Sequence, residues 1–225
     1  MAGILLTEKI THDDDLSQYN SFFNPQFLER ITPGLDGTAG ALQINDSGSL
    51  LSYARRDFNI FENSLWGITF LLINNQTTPA SNQTTRIISC RNVLGELVLR
   101  VNIQKVLTVW NTNIIFRDDN FVEQTYTTQL NEGIILFDLQ FTSTSFVIAQ
   151  PAPQAIYPGI YGTKSGLADF RVGHLATVPP PVSGNIVVDE IKFYINDESI
   201  TTVSNICVCK NKAVIIKNLI LEDED

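Results

Sequence analysis

Short apolar runs with period-two alternation recur from about residue 22 to residue 195, separated by clusters of Gly, Pro, Asn, Asp and Ser. Residues 41–44 and 50–55 flank Asn45-Asp46-Ser47-Gly48, a strong turn signal. Residues 65–73 are apolar on both faces, as a strand covered on both sides would be, with Trp66, Ile68, Phe70 and Leu72 in the core. Residues 86–90 and 97–103 flank Gly95 in a hairpin, the second strand pointing Leu97, Leu99, Val101 and Ile103 inward and Val98, Arg100 and Asn102 outward. Strands at 106–110, 134–141, 145–149 and 170–174 follow the same device. A helical period is missing, and a single turn near 25–31 comes nearest to one. The pattern predicts an all-β protein, a sandwich or a barrel, with an N-terminal arm and a C-terminal β-hairpin.

The run from Ser183 to Ile195 is the longest β-branched and aromatic stretch, and a turn at Gly184 opens it. Strict alternation puts Val187, Asp189, Ile191, Phe193 and Ile195 on one face, so Asp189 sits among core residues and needs hydrogen-bond donors. Its expected role is a structural carboxylate; an acid or a metal ligand is the lesser reading. The expected organisation is an arm over 1–21, a sandwich over 22–196, and a hairpin with an acidic tail over 197–225.

The net charge of −9 argues against a nucleic-acid binder, since it offers no basic field to displace counterions, and no Lys/Arg-rich amphipathic stretch suits an anionic membrane. The first residues lack the basic region and apolar length of a secretory signal. Cys90, Cys207 and Cys209 form no disulfide framework or zinc spacing and are read as reduced thiols. The glycosylation sequons at Asn45, Asn75 and Asn82 mark polar loops only.

Several segments, in order from about residue 22 to residue 195, resemble the concanavalin A-like, laminin G-type jelly roll, which implies a two-sheet antiparallel β-sandwich. Gly40-Ala41-Leu42-Gln43-Ile44 follows the turn Pro33-Gly34; Ile68-Thr69-Phe70 is similar to the family's apolar-Thr-aromatic strand; Arg86–Ser89 and Gly95–Leu99 resemble its central hairpin. Asp169-Phe170-Arg171-Val172-Gly173 matches its short strand ending in Gly, and Gly184–Ile191 its closing strand. The family's Trp before the strand at 134–141 is missing, with Asn131-Glu132-Gly133 in its place.

That fold hosts lectins, adhesion modules, glycan-cleaving enzymes and virion parts, so function has to come from the site. The glucanase branch would imply Glu-x-Asp-x-x-Glu on one strand face, and no such run exists. His12 and His174 are isolated in the sequence. The sequence is therefore expected to be non-catalytic. No cofactor is expected; the resemblance implies Ca²⁺ as the one to weigh, with Asp118 and Asp119 in a rim loop as its ligands and Asp13–Asp15 a poorer set, against the favoured reading of these carboxylates as solvated turns. Glycan binding needs an exposed aromatic with polar groups nearby. Strand phase, with Leu107 and Val109 inward, leaves Trp110 outside beside Asn111 and near Arg117, and Tyr157 and Tyr161 lie in a Pro/Gly-rich loop. Fold and missing signal together suggest a phage-particle component (tail, fibre or capsid decoration), assembling with copies of itself or other structural proteins and touching a surface glycan. The expected place is then the virion. The alternative is an extracellular carbohydrate-binding adhesin, and a glycoside hydrolase or polysaccharide lyase comes third.

Overall fold

The computed structural model describes residues 2–45, 50–58, 65–76, 84–161, 166–175 and 184–201, with backbone alone at 2–7 and 196–201. The expected C-terminal hairpin, its acidic tail, Cys207 and Cys209 lie outside those residues. In chain order the strands are β1 (Ala2–Ile10), β2 (Ser21–Phe23), β3 (Leu28–Ile31), β4 (Ala41–Ile44), β5 (Ser52–Asp57), β6 (Trp66–Asn74), β7 (Thr84–Arg91) and β8 (Leu97–Val106). They continue as β9 (Val109–Arg117), β10 (Glu123–Gln129), β11 (Ile135–Phe141), β12 (Ser145–Gln150), β13 (Ala155–Pro158), β14 (Asp169–His174) and β15 (Ile186–Thr201). The only helical elements among the described residues are 3-10 turns at Pro25–Phe27 and Leu35–Gly37.

Two antiparallel sheets pack face to face, a sandwich and not a barrel, as the jelly-roll resemblance implies. The first runs β13-β12-β11-β6-β15-β4-β3, with β1 also on β15; the second runs β10-β9-β8-β7-β14-β5-β2. Trp66, Ile68, Phe70 and Leu72 of β6 meet Phe137, Leu139 and Phe141 of β11 and the inward residues of the second sheet in one fully buried core. Phe70 stacks on Phe137 at 4.6 Å and Phe116 on Phe146 at 4.0 Å. Such stacked rings add to the area they bury.

The N-terminal stretch does not stand apart. Its backbone forms β1, antiparallel to β15 of the same chain from Ile10↔Ile191 to Ala2↔Thr201. Strand β15 is the hinge of this sheet: β6 lines one side from Ile186 to Ile195, while on the other β4 pairs Ile186–Val188 and β1 pairs the stretch from Ile191 on. A β-bulge between Asp189 and Lys192, with Glu190 at φ 50°, marks the change of partner.

That bulge corrects the predicted alternation. Val187 packs with Leu35 and Ala41 on the outer face, whereas Ile191 and Phe193 enter the main core. One extra residue swaps the faces after it.

Gly173 in β14 is the other backbone feature that matters for the site. It lies opposite Tyr53 at φ +146°, and a Cβ there would come within 2.1 Å of the Ser52 carbonyl oxygen. Gly173→Ala is expected to destabilise the protein by about 2 kcal/mol or more. Thermal unfolding of the two proteins checks this, and equal melting temperatures would refute it.

Candidate functional site

The second sheet turns one face to the core and one to solvent. Registered side by side on the outer face are Arg55 of β5, Arg171 of β14, Ser89 of β7, Arg100 of β8 and Ile115 of β9. The next row along carries Arg86 of β7, Asn102 of β8, Asn113 of β9 and Thr127 of β10. Arg91 opposes Asp169, and Arg117 opposes Glu123. Every arginine of the chain except Arg30 and Arg56 stands on this face, although the chain as a whole carries a net charge of −9.

Three carboxylates hold part of this array. Glu123 bridges Arg100 at 2.8 Å and Arg117 at 2.9 Å. Asp169 takes a two-pronged contact from Arg171, with Nη2 at 2.7 Å, and one from Arg55 at 2.9 Å. Asp57 meets Arg55 at 2.7 Å. Those hydrogen bonds to Asp169 push the Arg171 pKa up. The guanidiniums keep part of their surface in water, 20% for the Arg100 side chain and 38% for Arg55.

Arg86 and Asn102 differ from the rest. They oppose each other across β7 and β8, in the middle of the sheet. Arg86 Nε and Asn102 Oδ1 are buried without a hydrogen-bond partner; Arg91 Nε and Arg100 Nε are too, but their guanidiniums are held by the Gly95 carbonyl and by Glu123. Burial pushes the Arg86 pKa down, and the like charges of Arg100 and Arg91 push it the same way. A half-desolvated guanidinium among cations, beside an unpaired amide oxygen, is poised to take an anion with a hydroxyl next to it.

Toward the β2 edge, Gly173 leaves the sheet bare between Tyr53 and β7, since β14 stands between β5 and β7. Tyr53 is the only described tyrosine on this face; Arg171 lies 5.2 Å above its ring and Phe23 stacks on it at 5.6 Å.

The predicted site residues are dispersed. Asn111 and Arg117 do stand on the arginine face, the first opposite Gln104 and Gln129. Trp110 does not face outward from the sandwich, because the turn after Val106 pairs that residue with Val109 and sets the inward phase as Trp110, Thr112, Ile114 and Phe116. Leu107 and Val109, expected inside, are exposed, and Trp110 packs half-buried against the core edge under the Lys105 ammonium at 5.4 Å. Tyr157 packs edge-on to Phe116 at 5.0 Å, and burial raises its pKa. Tyr161 is buried against Phe141, its pKa pushed up to about 12 by burial and then by Asp118.

Asp118 accepts backbone N–H groups from Asn120 at 2.9 Å and Val122 at 2.8 Å, closing its own turn, and the Asp119 N–H donates to the Ile160 carbonyl. No group of three or more His, Cys, Asp or Glu able to hold a metal occurs among the described residues.

A second constellation escaped sequence reasoning. His12, just past β1, lies against Asp189 at 3.3 Å through Nδ1 and against the Tyr19 hydroxyl at 3.0 Å through Nε2. Asp189 only accepts, so Nδ1 is the donor of that pair, and the Tyr19 hydroxyl can give or take the hydrogen bond at Nε2. Asp189 also accepts from Thr38 Oγ1, from the Leu35 N–H at 2.9 Å and from the Glu190 N–H at 2.8 Å. His12 and Asp189 are fully buried and Tyr19 nearly so, which makes this a structural network, as expected for Asp189. Burial, then the nearby Asp189 charge, raises the Tyr19 pKa.

No protein-family model matches the sequence, and no curated protein matches it. Solved structures are similar in fold. An alginate lyase from Alteromonas sp. 272 aligns over 77% of this chain and 98% of its own, with TM-score 0.50 and 7% identity. Cip1, a cellulose-induced protein, aligns over 82% and 96%, with TM-score 0.54 and 12% identity. The binding domain of botulinum neurotoxin serotype D aligns over 87% of this chain and 48% of its own, with TM-score 0.55 and 10% identity. At such identities the likeness is one of fold, a two-sheet jelly-roll sandwich consistent with the concanavalin A-like arrangement. The laminin G-type membership has no matching family model behind it.

The expectation of a non-catalytic protein is corrected here. An alginate lyase shares the fold over nearly its whole length. The missing Glu-x-Asp-x-x-Glu run excluded glucanase chemistry alone. Nothing in these likenesses bears on a place in a phage particle.

Proposed function

We propose that this protein is a carbohydrate-directed β-sandwich that takes an acidic polysaccharide along the arginine-lined face of its second sheet. The observation that carries this reading is the Arg86–Asn102 pair, with a buried guanidinium nitrogen and a buried amide oxygen unpaired beside an arginine array on an acidic chain. A guanidinium fork matches a carboxylate in two parallel hydrogen bonds, and amides such as Asn102, Asn111 and Asn113 read the flanking hydroxyls. The fold shared with an alginate lyase and a cellulose-induced protein supports a glycan over other polyanions. Such a target places the protein's work outside cells or on a particle that meets them.

Titration of the protein with alginate, polygalacturonate and a neutral glucan tests the reading. The two acidic chains are expected to bind, and more weakly as salt is raised, and the neutral chain is expected not to displace them. Affinity for the acidic chains that does not respond to salt, or none for either of them, would refute it.

A second reading, cleavage of the bound chain, is favoured by Tyr53. Elimination next to a uronate carboxyl needs that carboxyl neutralised and a group nearby to move the adjacent proton. Arginines and a phenol share this face. New unsaturated, ultraviolet-absorbing chain ends in the same samples would establish cleavage, and a Tyr53→Phe change should then abolish it while binding persists.

A further inference from the structure

A separate cavity of about 520 Å³ opens at the rim of the sandwich, lined by Ile73, Asn74, Gln76, Trp110, Glu132 and Gly133 among others. It lies where the end of β6, the start of β9 and the β10–β11 connection converge. Each wall is held in place. The Asn75 N–H donates to the Asn185 carbonyl at 2.9 Å, and its side chain donates to Asn185 Oδ1 at 3.0 Å. Gly184, at φ +98°, permits this approach, because a Cβ there would lie 2.3 Å from the Asn75 oxygen. The Leu130 N–H donates to the Trp110 carbonyl at 2.8 Å, which ties the β10–β11 connection to the same rim.

Gln76 is the feature that asks for a ligand. Its residue is 5% exposed, and both Oε1 and Nε2 lack any hydrogen-bond partner. The Asn74 side chain is already used, accepting the Gln76 N–H at 3.3 Å. A buried amide with both ends unpaired is unfavourable in an empty site and valuable in a filled one.

We infer that this cavity binds one neutral sugar unit through a pair of adjacent hydroxyls, one donating to Gln76 Oε1 and the next accepting from Nε2. Trp110, half-buried with its ring at the cavity wall, supplies an apolar surface for the sugar's C–H face. Glu132, exposed at the mouth, accepts a further hydroxyl proton and disfavours an acidic sugar. The site is independent of the arginine face in both residues and ligand charge.

Intrinsic fluorescence of the full chain, titrated with methyl glycosides of glucose, galactose and mannose, reads the site directly. Of the two tryptophans, Trp66 is fully buried and Trp110 borders the cavity, so the response reports Trp110. At least one glycoside is expected to shift the emission saturably, with alginate not competing. Gln76→Leu is expected to weaken that binding by about tenfold or more without lowering the melting temperature, since it removes no native hydrogen bond. Glu132→Gln, at an exposed position, gives a second reading should Gln76→Leu misfold, and is expected to weaken binding as well. Emission unchanged by every glycoside up to its solubility limit would mean the cavity holds water only and would overturn the inference. Binding unaltered in both variants would do the same.

Discussion

Asp189→Ala is expected to lower the stability of this protein by about 3–5 kcal/mol, the range for removing one partner of a buried charged network. The carboxylate accepts from His12, Thr38, the Leu35 N–H and the Glu190 N–H, and each donor would be left unpaired in the interior. The network joins the end of β1, the 3-10 turn at Leu35–Gly37 and the bulge where β15 changes partner, so its loss loosens three elements together. Asp189→Asn keeps the shape but turns an N–H group toward a donor, and should recover only part of the loss. The pH dependence follows from the sign of the shift. Burial works to raise the Asp189 pKa, but the hydrogen bonds from His12, Thr38, Leu35 and Glu190 together hold it below the ordinary 3.8. A carboxyl depressed in the folded state contributes stability that is fully present above the unfolded value and is lost as pH falls toward the folded one. The gap between wild type and Asp189→Ala in urea unfolding should therefore be constant near neutrality and narrow below about pH 4. A gap that is small at pH 7, or that widens in acid, would refute the account.

Much of this fold was legible because alternation is a local property. The inward sets Trp66-Ile68-Phe70-Leu72 and Phe137-Leu139-Phe141, and the outward Arg100 and Asn102, follow from a period of two within single strands. What escaped was set by backbone geometry or by pairing between distant segments. The Glu190 bulge reverses the faces of β15, and the register fixed at Val106↔Val109 turns Trp110 inward. No periodicity announces either. His12 and Asp189 are 177 positions apart, and only the β1–β15 pairing brings them together.

The arginine face is of the same kind. Its members come from β5, β7, β8, β9 and β14, each unremarkable in its own strand, and the sheet order alone aligns them. A net charge of −9 concealed this, since an average over the chain says nothing of one face. The catalytic question went astray for a related reason. A search for paired carboxylates tests one chemistry, whereas this face offers guanidiniums, amides and a phenol.

Arg86→Met separates the contribution of that face to stability from its contribution to binding. In the folded protein the Arg86 guanidinium has its Nε buried without a partner and stands among like charges, with burial the larger cause of its lowered pKa and Arg100 and Arg91 adding to it. Glu123 works against the shift, but its carboxylate oxygens are engaged by Arg100 and Arg117. Replacing Arg86 with an unbranched apolar chain keeps the packing along the strand and removes both penalties. The variant is expected to be as stable as wild type or more stable by up to about 1 kcal/mol. Affinity for alginate should nevertheless fall by about tenfold or more if, as proposed, the lost fork pairs with a uronate carboxylate. Arg117→Met makes the control. It breaks the partly exposed pair with Glu123 at the β10 edge, where stability should move by no more than about 1 kcal/mol and affinity by less than in Arg86→Met. A stabilised Arg86→Met that no longer holds alginate would mark Arg86 as a residue kept for its ligand. A destabilised one that still holds alginate would make Arg86 a structural residue and move the binding face elsewhere.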